Sequence, residues 1–353
     1  MRHKNIALFA LSAALLLSAC NTDKAATTAA TTEAATTTTA SSTTTAEVTT
    51  AVTATTLTTV TTEETTAKTT EIKHDESEEI QGEGRQNRFM SHRGFMLYEP
   101  VNDDELEMLR NKDELVVFVM AESDLSWLAE CTKLKKLVIY EGQDDCPSPP
   151  DYNYVDDYSF LRSLTVLKSL RLDNLDFDIS DIDGLGELEE LEVIFCGITG
   201  RLSGNTVFEH TQTIRISSSS IDDLGFLRLF PNITELELSW CNIHDKTQMN
   251  VINELTELKK LRLSQIDKSG ITSLSNLKKL EELHVCDDNP ERSADIRLFD
   301  GLDSLKKFNY FKNVSHLQPD GTYILEDQYS TEEIAYFEKT HPECEVWAYE
   351  VAF

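Results

Sequence analysis

The stretch Ile182-Asp183-Gly184-Leu185-Gly186-Glu187-Leu188-Glu189-Glu190-Leu191-Glu192-Val193-Ile194-Phe195-Cys196-Gly197-Ile198 carries two periodicities in succession. Ile182, Leu185, Leu188 and Leu191 recur every third residue, and Leu191 and Val193 then alternate. Spacing by three suits a tight 3₁₀-like or helical return segment, whereas an alternating pair suits a short strand with one buried face. The design is repeated at Leu161, Leu164, Leu167, Leu170, Leu172 and again at Leu274, Leu277, Leu280, Leu283, Val285. With the closing pair as marker, the copies are Leu115/Val117, Leu137/Ile139, Leu170/Leu172, Leu191/Val193, Ile214/Ile216, Leu236/Leu238, Leu261/Leu263, Leu283/Val285 and Phe308/Tyr310, at steps of 22, 33, 21, 23, 22, 25, 22 and 25 residues. A period in this range means a solenoid, because neither half of a copy can bury its apolar side until a neighbour stacks on it. A bundle of amphipathic helices would use the same leucines, but each helical pattern is cut by a period-two pair and a polar turn.

These repeats resemble bacterial leucine-rich repeats of the short, internalin-like type. Asp178-Ile179-Ser180-Asp181-Ile182-Asp183-Gly184-Leu185 with Leu188-Glu189-Glu190-Leu191 carries the likeness, as does Ile221-Asp222-Asp223-Leu224, and it extends from about Leu106 to Tyr310. It implies an α/β solenoid, a leucine-rich-repeat horseshoe with a parallel concave sheet, preceded by a disordered tether. In one respect the chain departs from the family. The usual ladder asparagine is replaced by Cys196, Ser219, Cys241 and Ile266, so its turn hydrogen bonds are expected in part from backbone or water. Cysteine is a familiar variant at that position, which implies inert buried thiols for Cys196 and Cys241 in preference to a disulfide or metal role.

The start of the chain bears on its location. Arg2, His3 and Lys4 precede the apolar run Ile6 to Leu17, which is too short to span a membrane. Leu17-Ser18-Ala19-Cys20 resembles the lipobox of bacterial lipoproteins, implying a signal peptide over 1–19, cleavage before Cys20 and a lipid on that cysteine. An ordinary secretory signal with a chance cysteine is the alternative; either places the rest outside the cytoplasm. Residues 20–90 begin with runs such as Thr36-Thr37-Thr38-Thr39 and hold almost no bulky apolar side chain until their end, so they cannot offset their ordering entropy. Such a tether of roughly seventy residues has a root-mean-square reach of about 45 Å. The repeat domain is then placed at 91–310 and a C-terminal hairpin and capping segment at 311–353. The hairpin is read from Gln318-Pro319-Asp320-Gly321-Thr322, and the cap from a helix over Thr331 to Lys339, N-capped by Thr331, that leads to Cys344-Glu345-Val346-Trp347.

Charge excludes one class of partner. With 62 acidic and 32 basic residues, the net charge is −30, and a polyanion is repelled where nucleic-acid binding would need Lys and Arg. After Cys20, six cysteines remain, and an exported chain leaves open disulfides among Cys131, Cys146, Cys286 and Cys344. No motif of a hydrolase, zinc protease, phosphate loop or dithiol occurs, the histidines are scattered, and no enzymatic site, cofactor or metal is read. The acidic run Asp176 to Asp183 superficially resembles a calcium loop, but Asp181 stands where that loop needs glycine and Ile182 is needed in the core.

What remains is the concave sheet, on which residues flanking each buried pair form columns across the stack. Arg171, Glu192, Arg215, Glu237 and Arg262 alternate in sign from strand to strand, which cross-strand pairing explains, and His284 continues them. Tyr140, Phe195, Trp240 and Phe311 are the aromatic candidates for anchoring a partner. The expected function is a surface-anchored binding protein that captures an extracellular protein or glycan on these ten residues, for adhesion or ligand capture outside a Gram-positive-type cell. The alternative is a structural or accessory envelope protein acting through its convex side or through the insertion Tyr140 to Asp157, which fills the 33-residue step.

Overall fold

In the computed structural model the described residues are 87–90, 94–120, 122–142, 155–288, 293–312, 314–317 and 323–350. All of them belong to one compact unit, Glu83–Phe353. The signal peptide, Cys20, most of the tether, the middle of the insertion with Cys146, and the Asp320-Gly321 turn lie outside the described residues.

The fold is a leucine-rich-repeat solenoid built on one long sheet. Its strands, in spatial order, are β1 (Arg88–Met90), β2 (Gly94–Leu97), β3 (Glu114–Val119), β4 (Lys136–Glu141), β5 (Ser169–Asp173), β7 (Glu190–Ile194), β9 (Thr213–Ser217), β11 (Glu235–Ser239), β13 (Lys260–Ser264), β14 (Glu282–His284), β15 (Lys307–Lys312) and β18 (Glu345–Glu350). Every pairing from β2 onward is parallel; β1 folds back antiparallel on β2. A second sheet on another side of the coil contains β6 (Asp176–Asp178), β8 (Gly197–Thr199), β10 (Ser220–Ile221) and β12 (Asn242–Ile243), also parallel. The remaining pair is the antiparallel hairpin β16 (Val314–Leu317) and β17 (Tyr323–Glu326).

All nine closing pairs are buried, and their neighbours in adjacent coils are register partners, as with Leu191, Ile214, Leu236 and Leu261. Only β14 is shorter than its pair: it ends at His284, so Val285 lies just beyond it, still fully buried. The runs spaced by three start on short 3₁₀ turns, as Leu161 does on Ser159–Ser163 and Ile182 on Ile179–Ile182, and later members follow through i→i+3 backbone bonds, Leu164 N–H to Leu161 O and Leu167 N–H to Leu164 O at 2.9 Å, so that they share one side. Burying one such side chain contributes about 2 kcal/mol, and each coil supplies four or five only because its neighbours cover it.

Much of the acidic surplus has a local task. Asp124, Asp157, Asp178, Asp223, Asp245, Asp267 and Asp295 each accept the backbone N–H two residues on, at 2.7–3.0 Å, and thereby turn the chain into its return segment. The thiols replace the missing asparagine more directly than expected. Cys196 Sγ donates to the carbonyls of Ile194 (3.1 Å) and Leu172 (3.5 Å), Cys241 Sγ to those of Ile216 (3.2 Å) and Ser239 (3.4 Å), and Ser219 Oγ to Ser217 O (2.7 Å). At these three positions side chains make the turn bonds. Burial pushes the thiols of Cys196, Cys241 and Cys286 up to about 12, and Cys131, Cys196, Cys241, Cys286 and Cys344 are all unbridged.

Both ends depart from the sequence reading. Arg88–Met90, counted above with the tether, is a strand of the sheet, and the helix Asp103–Leu109 that follows is closed by a capping box between Asn102 and Glu105. At the other end the helix Thr331–Thr340 is N-capped by Ser330 and not by Thr331: Ser330 Oγ accepts the Glu333 N–H at 3.2 Å while the Glu333 carboxylate accepts the Ser330 N–H at 2.8 Å. Residues after this helix form the twelfth strand of the long sheet, β18, which continues it beside β15. A buried polar knot ties this end to the repeats. Asp287 accepts Lys268 Nζ through both oxygens (2.7 Å) and the Gln265 N–H (2.9 Å), while Gln328 Nε2 donates to it at 3.1 Å and Gln328 Oε1 takes the N–H groups of Asp287 and Phe311. Burial raises the Asp287 carboxyl to about 6 against the opposing pull of Lys268.

Asp267 makes stability pH-dependent. Hydrogen bonds from Lys246 and the Ser269 backbone hold the Asp267 carboxyl down at about 2, below its unfolded value of about 3.9. Its contribution is therefore complete above about pH 4 and is lost as pH falls through about 2. Urea unfolding of Asp267→Asn against the parent is expected to show a deficit at pH 7 that closes between pH 4 and pH 2.

Candidate functional site

In-register stacking converts the position between each buried pair into one continuous column. Register partners run Val138, Arg171, Glu192, Arg215, Glu237, Arg262, His284, Asn309 and Trp347. Five of the ten expected site residues are thus consecutive neighbours of alternating sign. Arg171 reaches Glu192 (3.3 Å) and Asp173 (2.8 Å); Arg215 bridges Glu190 (2.5 Å) and Glu235 (3.0 Å); Arg262 lies 3.7 Å from Glu237. The pairs are partly exposed, so each contributes at most about 1 kcal/mol. The charges in the middle of the face are engaged with one another.

His284 follows Arg262 in this column. Burial and then the neighbouring Arg262 hold its imidazole below the usual value, and its Nε2 lies 3.2 Å from Asn309 Nδ2, which donates to it. It serves the face as a hydrogen-bonding group.

The aromatic candidates separate into three places. Tyr140 sits on the next column beside Phe118, ring centroids 5.5 Å apart. Phe311 lies at the opposite end, beside its register partner Tyr349. Phe195 and Trp240 belong to neither. They fall on the corner where each coil leaves the sheet, in a column with Asn174, Ser218 and Gln265, all five at φ between 52° and 62°. Backbone bonds stack this corner: the N–H groups of Asn174, Phe195, Ser218 and Trp240 donate to Ile194, Ser217, Ser239 and Ser264 at 2.8–3.0 Å. The left-handed conformation suits asparagine or glycine and costs a bulky side chain on the order of 1 kcal/mol. Phe195 nonetheless stands 47 % exposed there, while Trp240 is half-buried. On strand spacing they are about 10 Å apart.

Two aromatic residues were missed. Trp347 and Tyr349 are 55 % and 47 % exposed on β18, extending the central column and the Tyr140 column respectively. The alternation Glu345-Val346-Trp347-Ala348-Tyr349-Glu350 carried the signal, but it lies beyond the leucine spacing that marked the other strands.

The acidic run from Asp176 is consumed by the coil itself. Asp178 caps its own turn, Asp181 pairs with Arg162 (3.2 Å), Asp183 accepts the Ser203 N–H (3.2 Å), and Ile182 is fully buried. On the second sheet His244 lies between Asp222 and Ser220, within hydrogen-bond distance of both.

No family model and no curated protein matches the chain. Among solved structures it is similar to an internalin (inlF) of Listeria monocytogenes str. 4b F2365, at 21 % identity and TM-score 0.41 over 59 % of this chain and 63 % of that one. It is also similar to an internalin C2 (inlC2) of the same strain, at 18 % identity and TM-score 0.40 over 60 % of this chain and 84 % of that one. A third is the mouse RP105/MD-1 complex, at 19 % identity and TM-score 0.38 over 56 % of this chain and 33 % of that one. The chain spans less than two thirds of the first internalin's length. The fold stands on the strand registers, and nothing about a partner passes from these proteins to this chain.

Arg215 holds two carboxylates apart in the middle of the ladder. Arg215→Met is expected to cost about 1 kcal/mol in urea unfolding at low salt, with most of the deficit gone in 1 M salt, where screening acts within about 3 Å.

Proposed function

We propose that this chain is an extracytoplasmic, lipid-anchored leucine-rich-repeat protein that captures a protein partner along the concave side of its long sheet. The observation that carries this reading is the pair Phe195 and Trp240: two large aromatic side chains occupy left-handed corner positions, where Asn174 shows the residue that local stability alone would select. Aromatic groups held at a local cost are the residues that anchor interfaces. Tyr140 with Phe118 at one end of the face, and Phe311 with Trp347 and Tyr349 at the other, extend the aromatic contact. Between them the paired charges of Arg171, Glu192, Arg215, Glu237 and Arg262 supply a polar surface that sets register more than affinity, and His284 adds a hydrogen-bonding group. With a net charge of −30, encounter favours a partner with a basic surface. The anchor at Cys20 and the tether hold this surface away from the membrane, in keeping with the lipobox-like Leu17-Ser18-Ala19-Cys20. No helix among the described residues is long and apolar enough to cross a membrane.

Phe195→Asn and Trp240→Asn relieve the corner, so each is expected to leave the melting temperature unchanged or raised. Capture of extracellular proteins by the immobilised chain is expected to fall at least tenfold in the double variant, and undiminished capture would sink the assignment of the concave face. Loss of capture only on deleting 144–156 would move the site to the insertion. For the anchor, Cys20→Ser is expected to abolish incorporation of a labelled fatty acid and release the protein into the medium.

A further inference from the structure

On the second sheet, away from the concave face, three side chains from consecutive coils form a hydrogen-bonded relay. Ser220 and Ile221 of β10 are in register with Asn242 and Ile243 of β12. Both isoleucines are buried, so the residues on either side of them, Ser220 and Asp222 on one coil and Asn242 and His244 on the next, share the outer face. His244 Nδ1 lies 2.8 Å from Asp222 Oδ1, and His244 Nε2 lies 3.2 Å from Ser220 Oγ. A carboxylate can only accept, so Nδ1 carries the hydrogen, and in the neutral ring Nε2 is then free to accept the serine hydroxyl. The order is acid, imidazole, hydroxyl, with each ring nitrogen facing the partner that general-base activation of a serine requires.

The backbone beneath the relay is fixed. The N–H groups of Ser220, Asp222, Asn242 and His244 donate to Cys196, Ile198, Ser219 and Ile221 at 2.9–3.0 Å, so none is spare to stabilise a developing oxyanion. A side-chain donor on this face would have to come from Asn242, the register partner of Ser220. It stands beside Ser220 on the same face, one strand spacing or about 5 Å away, and is exposed. On the other side of Ser220 is Gly197, and the space its missing side chain leaves is taken by the Asp176 carboxylate, whose oxygen would lie 2.2 Å from a Cβ there. That negative charge selects against anionic acyl groups.

We propose that Ser220, His244 and Asn242 form an acyl-transfer site for neutral or cationic activated esters, with Asp222 positioning the imidazole. Ser220 Oγ attacks the ester carbonyl as its proton passes to His244 Nε2, and a C–O bond forms to give an oxyanion held by the Asn242 amide. The oxyanion collapses, the bond to the leaving alcohol breaks, and His244 returns the proton to that alcohol. Water then attacks the acyl-serine by the same path, releasing the carboxylic acid and restoring Ser220. The site is open to solvent, so it suits reactive acyl groups and slow turnover. It is independent of partner capture on the long sheet.

The test uses the whole chain with two probes, an alkyl fluorophosphonate and p-nitrophenyl acetate. One phosphonyl group per chain is expected on Ser220 by peptide mass mapping, with loss of fluoride. Ser220→Ala is expected to abolish labelling and ester hydrolysis, and His244→Gln to slow both at least a hundredfold. Asn242→Ala is expected to lower kcat at least tenfold. Asp222→Asn is expected to lower kcat with KM unchanged, which a merely structural role would not produce. These are surface positions, and an unchanged circular-dichroism melt verifies that each variant folds. Absence of label on Ser220 in the folded parent, or hydrolysis that persists in Ser220→Ala, overturns the proposal.

Discussion

The whole molecule depends on burial of one apolar pair per coil against the same pair of the next coil. Leu191 and Val193 have nothing to pack on within their own coil that would exclude water from both; Ile214 and Ile216 on one side, and Leu170 and Leu172 on the other, complete the shell. Because the favourable term lies between coils, stability is a sum over neighbours, and any coil with an open side is a weak point. The ends answer that problem in different ways. At the start, the antiparallel pair β1 and β2 and a capped helix lie beside β3, while at the other end β18 and the helix before it are tied in by the Asp287, Lys268 and Gln328 knot.

The same constraint writes the surface. Parallel strands held in register by a shared core place equivalent residues side by side, so a choice made once per repeat becomes a column. A charge of alternating sign becomes the Arg171 to Arg262 ladder, and a left-handed corner becomes the line from Asn174 to Gln265. A turn-forming aspartate recurs at the head of successive return segments, as at Asp223, Asp245 and Asp267. Ser220, Asp222 and His244 obey the same rule on the second sheet, where residues remote in sequence meet because their coils are consecutive. Side chains with no motif linking them are brought within hydrogen-bond distance by register alone.

Electrostatics has two roles here. The net charge of −30 is a long-range property that repels polyanions, yet many of the carboxylates that make it up are spoken for locally. Seven accept backbone N–H groups at turns, and others are paired along the ladder. The surplus is therefore partly a consequence of how this solenoid turns its corners. Free negative potential is smaller in effect than the composition suggests at the middle of the concave face, where the arginines sit.

Leucine spacing by three followed by an alternating pair was enough to determine the solenoid, its parallel sheet and all nine buried pairs, because periodicity is a local record of which side chains face inward. The lipobox resemblance of Leu17-Ser18-Ala19-Cys20 and the threonine-rich composition that follows are features of the sequence and rest on it alone. Tertiary structure alone decided the rest. β1, β2 and β18 join the sheet through packing at its ends and carry no leucine signature, so Trp347 and Tyr349 went unseen. Thiols in place of asparagine satisfy the carbonyls because the turn brings sulfur within 3.1–3.5 Å of them, a distance no spacing rule predicts. The strained setting of Phe195 and Trp240, and the meeting of His244 with Ser220 and Asp222, arise from how one coil lies on the next, which is a property of the stack and of no single segment.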